Sequence, residues 1–321
     1  HMHDMVRRGS DLIQGEAIYQ FLNKIQKTAF TLNKFVVDVA ERLEEKGRTV
    51  GKFIPVTDVE ELPNKPLDID TNEESKREYK RKRRDVENRN RIHTQKCVRT
   101  RMTMECVRRF MVHDKFYLPW SYDYRGRVYP ISALLTPQDT DFGKSLLRFY
   151  QESFVDETAV DWLKFHVATQ YGLDKEPIAN RIKWTEEHHN LIEQIVKDPI
   201  GNLHEWEVAD EPWQFLAACE EYYACVIDCS RHYTGLPIAV DATCSGLQIL
   251  AGLARDASTA KLVNVLPSDK PQDAYKAIAE ASKPNIPECL HEVWDRKCTK
   301  RTVMTVPYNA KPFSNRGYIR E

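Results

Sequence analysis

Residues 15–46 place apolar side chains at Ile18, Phe21, Leu22, Ile25, Phe30, Leu32, Phe35, Val36, Val39 and Leu43, roughly every third or fourth position, with no proline or glycine inside. That spacing predicts one or two long helices. Prolines at 55, 63 and 66 break the pattern and predict a loop over residues 55–66. Residues 72–112 then predict a second long helical stretch, polar and strongly basic. Aromatic, proline and β-branched residues crowd into 116–137, which predicts short strands and turns. Helical spacing returns over 156–166, 178–196, 211–229 and 245–255. Between the last two, Leu236-Pro237-Ile238-Ala239-Val240 is a short apolar run expected to form a buried strand that delivers Asp241 to a cleft. No repeat or low-complexity linker separates these pieces, so they are expected to pack as subdomains of one helix-rich α+β body.

Length and charge refine this picture. A chain of 321 residues and 37.4 kDa holds two or three subdomains and a sizeable core. The net charge of −1 gives no global attraction to nucleic acid, so any such binding must come from segregated charge. Segregation is present: residues 76–109 hold 14 Lys/Arg against 4 Asp/Glu. A solvated or partly disordered helix is the alternative reading of that run. The eight cysteines form no Cys-x2-Cys pair and no zinc-like spacing, so reduced thiols in a soluble intracellular protein are expected. No apolar run is long enough to span a membrane. The chain opens His1-Met2-His3-Asp4 and stops at Glu321, which reads as a fragment incomplete at both ends.

Candidate chemistry lies in the last third. Arg296, Lys300 and Tyr308 follow the spacing Arg-x3-Lys-x7-Tyr, and Val240-Asp241-Ala242-Thr243-Cys244-Ser245-Gly246 stands about fifty residues earlier. Residues four apart stack on neighbouring turns, so Arg296 and Lys300 share a helix face on which two cations can hold a triphosphate. Pro307 is expected to end or kink that helix and leave the Tyr308 phenol at a boundary. Taken singly, an Arg/Lys pair on a helix is more often a solvated face, and a lone Asp after an apolar run is usually a cap or turn residue.

The words Asp123-Tyr124-Arg125-Gly126-Arg127-Val128-Tyr129, Asp241-Ala242-Thr243-Cys244-Ser245-Gly246-Leu247-Gln248 and Lys300-Arg301-Thr302-Val303-Met304-Thr305-Val306-Pro307-Tyr308 occur in one order. Together they closely resemble the single-subunit DNA-directed RNA polymerases of bacteriophages and mitochondria, from about Ile13 to Glu321. Chemically silent words such as Val263-Asn264-Val265-Leu266-Pro267-Ser268 join in the match. The resemblance implies a right-hand polymerase: a thumb-like helical arm over 1–115, a palm portion over 116–270 and the start of fingers over 271–321. It implies template-directed transfer of ribonucleotides with two Mg²⁺ ions, a DNA template, an RNA product, ribonucleoside triphosphates, a monomer, and the cytoplasm of an infected host cell rather than a mitochondrion. Asp241 and the Ala242 carbonyl would be metal ligands, while Lys300 and Arg296 would engage the triphosphate and Tyr308 would sense the 2′-hydroxyl. Tyr275, Arg127, Arg125 and Lys175 match positions that line the nucleotide site. On local grounds alone Tyr275 reads equally as a packed helix aromatic and Lys175 as an exposed loop lysine. Arg125-Gly126-Arg127 presents two guanidinium forks around a glycine and suits phosphate.

Three departures matter. Asn309 stands where the family usually has glycine, although asparagine tolerates left-handed angles. Met304 replaces the phenylalanine of related DNA polymerases, and small residues after Asp241 favour ribonucleotides over that DNA-polymerase alternative. The family's second metal-binding aspartate, in a later His-Asp-Ser word, has no counterpart in family order; His113-Asp114-Lys115 and His3-Asp4-Met5 precede Asp241 and read as decoys. With one carboxylate the isolated chain is expected to be inactive. A catalytically inert nucleic-acid-binding module is the competing reading.

Overall fold

The computed structural model describes residues 15–55, 59–123 and 126–320, and its architecture is helix-rich α+β. In chain order the helices are α1 (Glu16–Ile25), α2 (Lys34–Glu45), α3 (Glu73–Phe110), α4 (Asp141–Ser145), α5 (Glu157–Tyr171), α6 (Ile178–Glu187), α7 (His189–Lys197), α8 (Leu203–Trp206), α9 (Pro212–Tyr222), α10 (Ser245–Ala254), α11 (Ala257–Leu262), α12 (Ala274–Ser282), α13 (Arg296–Thr305) and α14 (Pro312–Arg320). The strands are β1 (Ala29–Leu32), β2 (Phe116–Tyr117), β3 (Trp120–Tyr122), β4 (Val128–Pro130), β5 (Leu147–Phe149), β6 (Ser153–Phe154) and β7 (Tyr233–Thr234).

The stretch expected as one or two helices over 15–46 is interrupted by β1. Phe30 and Leu32 alternate into the core there, and Asn33 then caps α2 by accepting the Val36 amide at 3.2 Å. β1 is the middle strand of an antiparallel sheet ordered β2-β1-β5, with Phe30 opposite both Phe116 and Phe149. The expected short strands of 116–137 are β2, β3 and β4. The long basic helix is present as α3, capped by Asn72, whose Oδ1 accepts from the Glu74 and Ser75 amides.

A second correction concerns residues 236–240. They form no strand; Leu236 is buried, but Val240 is 77% exposed and Asp241 is exposed. Pro237 cannot donate to a ladder, and β7, just before, is already paired with β6. Gly235 fixes the start of this segment: its carbonyl accepts the Phe149 amide at 2.7 Å, and a Cβ there would lie 2.4 Å from the Phe149 oxygen.

Two compact units emerge, each with its own interior. The first comprises the described residues up to Asp174 together with Arg181–Ile238; the second comprises Lys175–Asn180 and Ala239–Glu321. In the first, α9 is almost wholly buried and packs against α5, α4, α7 and α2. Phe53, Phe142 and Trp213 interlock with ring centroids 4.7–5.0 Å apart, and Trp206 adds an edge-on contact at 5.4 Å. Glu221 on α9, with no exposed side-chain surface, sits between Arg148 and Arg231, the latter at 2.7 Å. Burial of a charge on this scale is tolerable only because both carboxylate oxygens have guanidinium partners. All eight cysteines are free thiols, and no described helix is long and apolar enough to cross a membrane.

Candidate functional site

Asp241 opens a loop of small residues in the second unit. Its Oδ1 accepts the Ala242 amide at 2.8 Å, a bond that holds the carboxylate beside its own backbone. Cys244 has a left-handed backbone, φ 59°, and turns the chain into α10. Thr243 and Gln248 tie this loop to the end of α11: Thr243 Oγ1 donates to the Val263 carbonyl at 3.3 Å and Gln248 Nε2 to the same oxygen at 2.8 Å. Asn264 Nδ2 donates to Thr243 Oγ1 at 3.1 Å and to the Gln272 carbonyl at 2.9 Å, while its Oδ1 accepts the Gln272 amide at 2.7 Å. The word around Val263 and Asn264, chemically silent in the sequence, is the strut behind the Asp241 loop.

The cationic helix stands in the same unit. Asp295 caps α13 by accepting the Lys297 and Cys298 amides, and these bonds draw its carboxyl below the ordinary range. The helix ends at Thr305, and Val306–Tyr308 tightens into a 3-10 turn, which is the boundary expected at Pro307. Asn309 adopts φ 64°, so the left-handed turn survives without glycine. That turn lies against the start of α10. A Cβ added at Gly246 would lie 3.4 Å from Pro307 Cβ and 3.6 Å from the Tyr308 hydroxyl.

Arg296 and Lys300 are used differently. Lys300 is exposed, whereas Arg296 directs Nε to Asp273 Oδ2 at 2.5 Å and lays its guanidinium 5.5 Å from the centre of the Tyr275 ring. Tyr275 is 8% exposed, so its ring has the packing of a buried helix aromatic. Burial, then the bond with the Cys244 side chain, pushes its phenol well above the ordinary range. Burial alone would raise the Asp273 carboxyl, but the Arg296 bond and the Lys276 and Tyr275 amides outweigh it and hold it low.

The second unit therefore gathers Asp241, Ala242, Tyr275, Arg296, Lys300 and Tyr308, and Lys175 belongs to it in an exposed turn between α5 and α6. Arg127 belongs to the first unit, at the tip of the β3–β4 hairpin, where its amide donates to Asp123 Oδ1 at 2.9 Å and Gly126 takes φ 80°. Arg125 lies outside the described residues, as does the His3-Asp4-Met5 word. Sequence reasoning passed over Asp273, Asn264 and Cys244. Asp273 had a local signal, an Asp directly before a helical run; the other two act through left-handed backbones and long-range bonds that no short word announces.

A family model described as DNA-dependent RNA polymerase matches residues 153–321. T7 RNA polymerase of Escherichia phage T7 is 31% identical over all of this chain and 40% of its own length. The DNA-directed RNA polymerase of Enterobacteria phage K11 is 33% identical over 91% of the chain and 32% of its own length. The mitochondrial DNA-directed RNA polymerase of Neurospora crassa is 31% identical over 91% of the chain and 21% of its own length. The chain thus spans two-fifths or less of these relatives. With a family model covering more than half of it, and phage and organellar relatives matching nearly all of it, the chain belongs to the DNA-dependent RNA polymerase family.

Proposed function

We propose that this chain serves DNA-directed RNA synthesis of the single-subunit phage type, transferring ribonucleotides from their triphosphates to a growing RNA on a DNA template. The observation that carries the reading is the placement of the exposed Asp241 carboxylate and the cationic face of α13 in one unit, joined through the Asn264 strut. The relatives are named as RNA polymerases, which favours an enzyme over an inert nucleic-acid-binding module.

Asp241 and the Ala242 carbonyl form an all-oxygen donor set open to solvent, the kind Mg²⁺ accepts while keeping several waters. Among the described residues no three His, Cys, Asp or Glu side chains cluster for a metal, so Asp241 would hold Mg²⁺ with waters and groups of the substrate. When bound, the ions would neutralise charge on the transferring phosphate and align the attacking and leaving oxygens. Lys300 and Arg296 bind the triphosphate, and Tyr308, at the end of that face, reads the sugar. The small residues after Asp241 leave room for a 2′-hydroxyl. Arg127, Arg125 and Lys175 supply further phosphate contacts, and Tyr275 acts beneath Arg296. The reading carries with it a thumb over 1–115, a palm over 116–270 and the start of fingers over 271–321, with a monomer working in the cytoplasm of an infected host cell. Asp241→Asn in the whole protein is expected to abolish extension on a primed template while leaving the fold intact. Near-normal extension rates in that variant would refute the metal-ligand role.

A further inference from the structure

Both oxygens of Asp273 have fixed work. Oδ1 caps α12, accepting the Tyr275 amide at 3.0 Å and the Lys276 amide at 3.2 Å, and Oδ2 takes Arg296 Nε. Arg296 is therefore held at its Nε edge by a carboxylate and on its face by the Tyr275 ring. Thr299 Oγ1, one turn along α13, donates to the Tyr275 carbonyl at 2.8 Å and locks the two helices in register. A guanidinium pinned this way presents its remaining N–H edge in one orientation.

The same residues form a path of bonds. From Arg296 it runs to Asp273, through the adjoining Gln272 to Asn264, and from Asn264 to Thr243, two residues from Asp241. We infer that Asp273 is a positioning residue for the incoming nucleotide, fixing the Arg296 fork in advance and setting it in register with the Asp241 loop. The inference rests on the proposed assignment of Arg296 to the triphosphate. Its physical basis is entropy: an arginine ordered before binding spares the ligand the cost of ordering it.

The test uses Asp273→Asn, which keeps an oxygen for the α12 cap and removes the charge facing Arg296. Equilibrium titration of the chain with ATP and Mg²⁺, alongside thermal melting, is expected to show affinity weakened about three- to ten-fold at a nearly unchanged melting temperature. Asp273→Glu restores the charge and is expected to recover most of the affinity. In a double-mutant cycle, adding Asp273→Asn to Arg296→Lys is expected to cost little more than Arg296→Lys alone. Unchanged ATP affinity in Asp273→Asn, or fully additive losses in the cycle, would overturn the inference while leaving RNA synthesis by the wild-type protein as support for the proposed function. ATP binding by the wild-type chain without RNA synthesis by the whole wild-type protein would sink the function and spare the inference. A wild-type chain that binds no triphosphate overturns both.

Discussion

The Tyr308 hydroxyl lies 3.6 Å from where a Gly246 side chain would begin, so a phenol meets the first turn of α10 at its barest point. Tyr308→Phe keeps the ring and removes the donor. It is expected to retain most activity while narrowing the ratio of ATP to dATP incorporation efficiencies, and an unchanged ratio would count against sugar sensing by Tyr308. Two buried groups in the first unit set a different expectation. Burial pushes the Asp141 carboxyl up to about 6, despite the Trp213 and Gln214 amides it accepts, and pushes His166 down to about 4. The neutral form of Asp141 is the stabilised one, so its contribution is complete below its ordinary 3.8 and is lost as pH rises through about 6. His166 opposes it, contributing above its ordinary 6.5 and losing that contribution as pH falls through about 4. In wild type the slopes offset one another. Denaturant melts of Asp141→Asn should therefore gain stability between pH 4 and 6 relative to wild type, by up to about 3 kcal/mol, and His166→Gln should drift the other way. Parallel pH profiles for all three proteins would contradict both assignments.

At the scale of elements, α3 carries the basic charge, and much of it is already matched. Lys76, Lys82, Arg83 and Arg109 pair along the helix, while Arg89, Arg99 and Arg108 reach Glu60, Asp139 and Glu44. Arg77, Lys80, Arg81 and Arg84 are exposed and stand outside the ion pairs of the described residues. Each phosphate neutralised contributes a slope of about −0.9 in log affinity against log salt. Replacing those four by Gln is expected to flatten the salt dependence of duplex DNA binding by up to about 3.6 units, read in an anisotropy titration; an unchanged slope would place the contacts elsewhere. The helix itself was legible because polar periodicity and an Asn cap are local. β1 was not, because Phe30 and Leu32 fit a helical spacing as well as an alternating one, and the residues that decide, Phe116 and Phe149, lie some ninety and 120 positions away. Likewise 178–196 reads as one helix, yet the backbone leaves the helical region at His188, φ −111° and ψ 22°, where the ring stacks on Trp184 with centroids 4.0 Å apart. Asp241, Arg296, Lys300 and Tyr308 were legible as words; their division of labour was not, since Asp273 reaches Arg296 across 23 positions.

For the molecule as a whole, the two units differ in what they bury. The first holds the interlocked tryptophans and the aliphatic core, whereas the buried apolar side chains described in the second are small or single: Ala251, Ala260, Val263, Ala274, Tyr275 and Ala279. α10 leaves Ile249, Leu250 and Leu253 exposed. Local stability follows buried apolar contact, so amides of α9 and α5 are expected to exchange with deuterium by roughly ten-fold or more slower than those of α10 and α13. Equal protection across the two units would contradict this division. The path of contacts in the second unit has a consequence for how such a chain evolves. Arg296, Asp273, Asn264 and Thr243 stand in series, and in a series the loss of one link severs everything beyond it. The first loss should therefore carry most of the cost and a second add little, a pattern of epistasis in which the links are kept or abandoned together. A lineage that gives up one of them loses the selection that maintained the others.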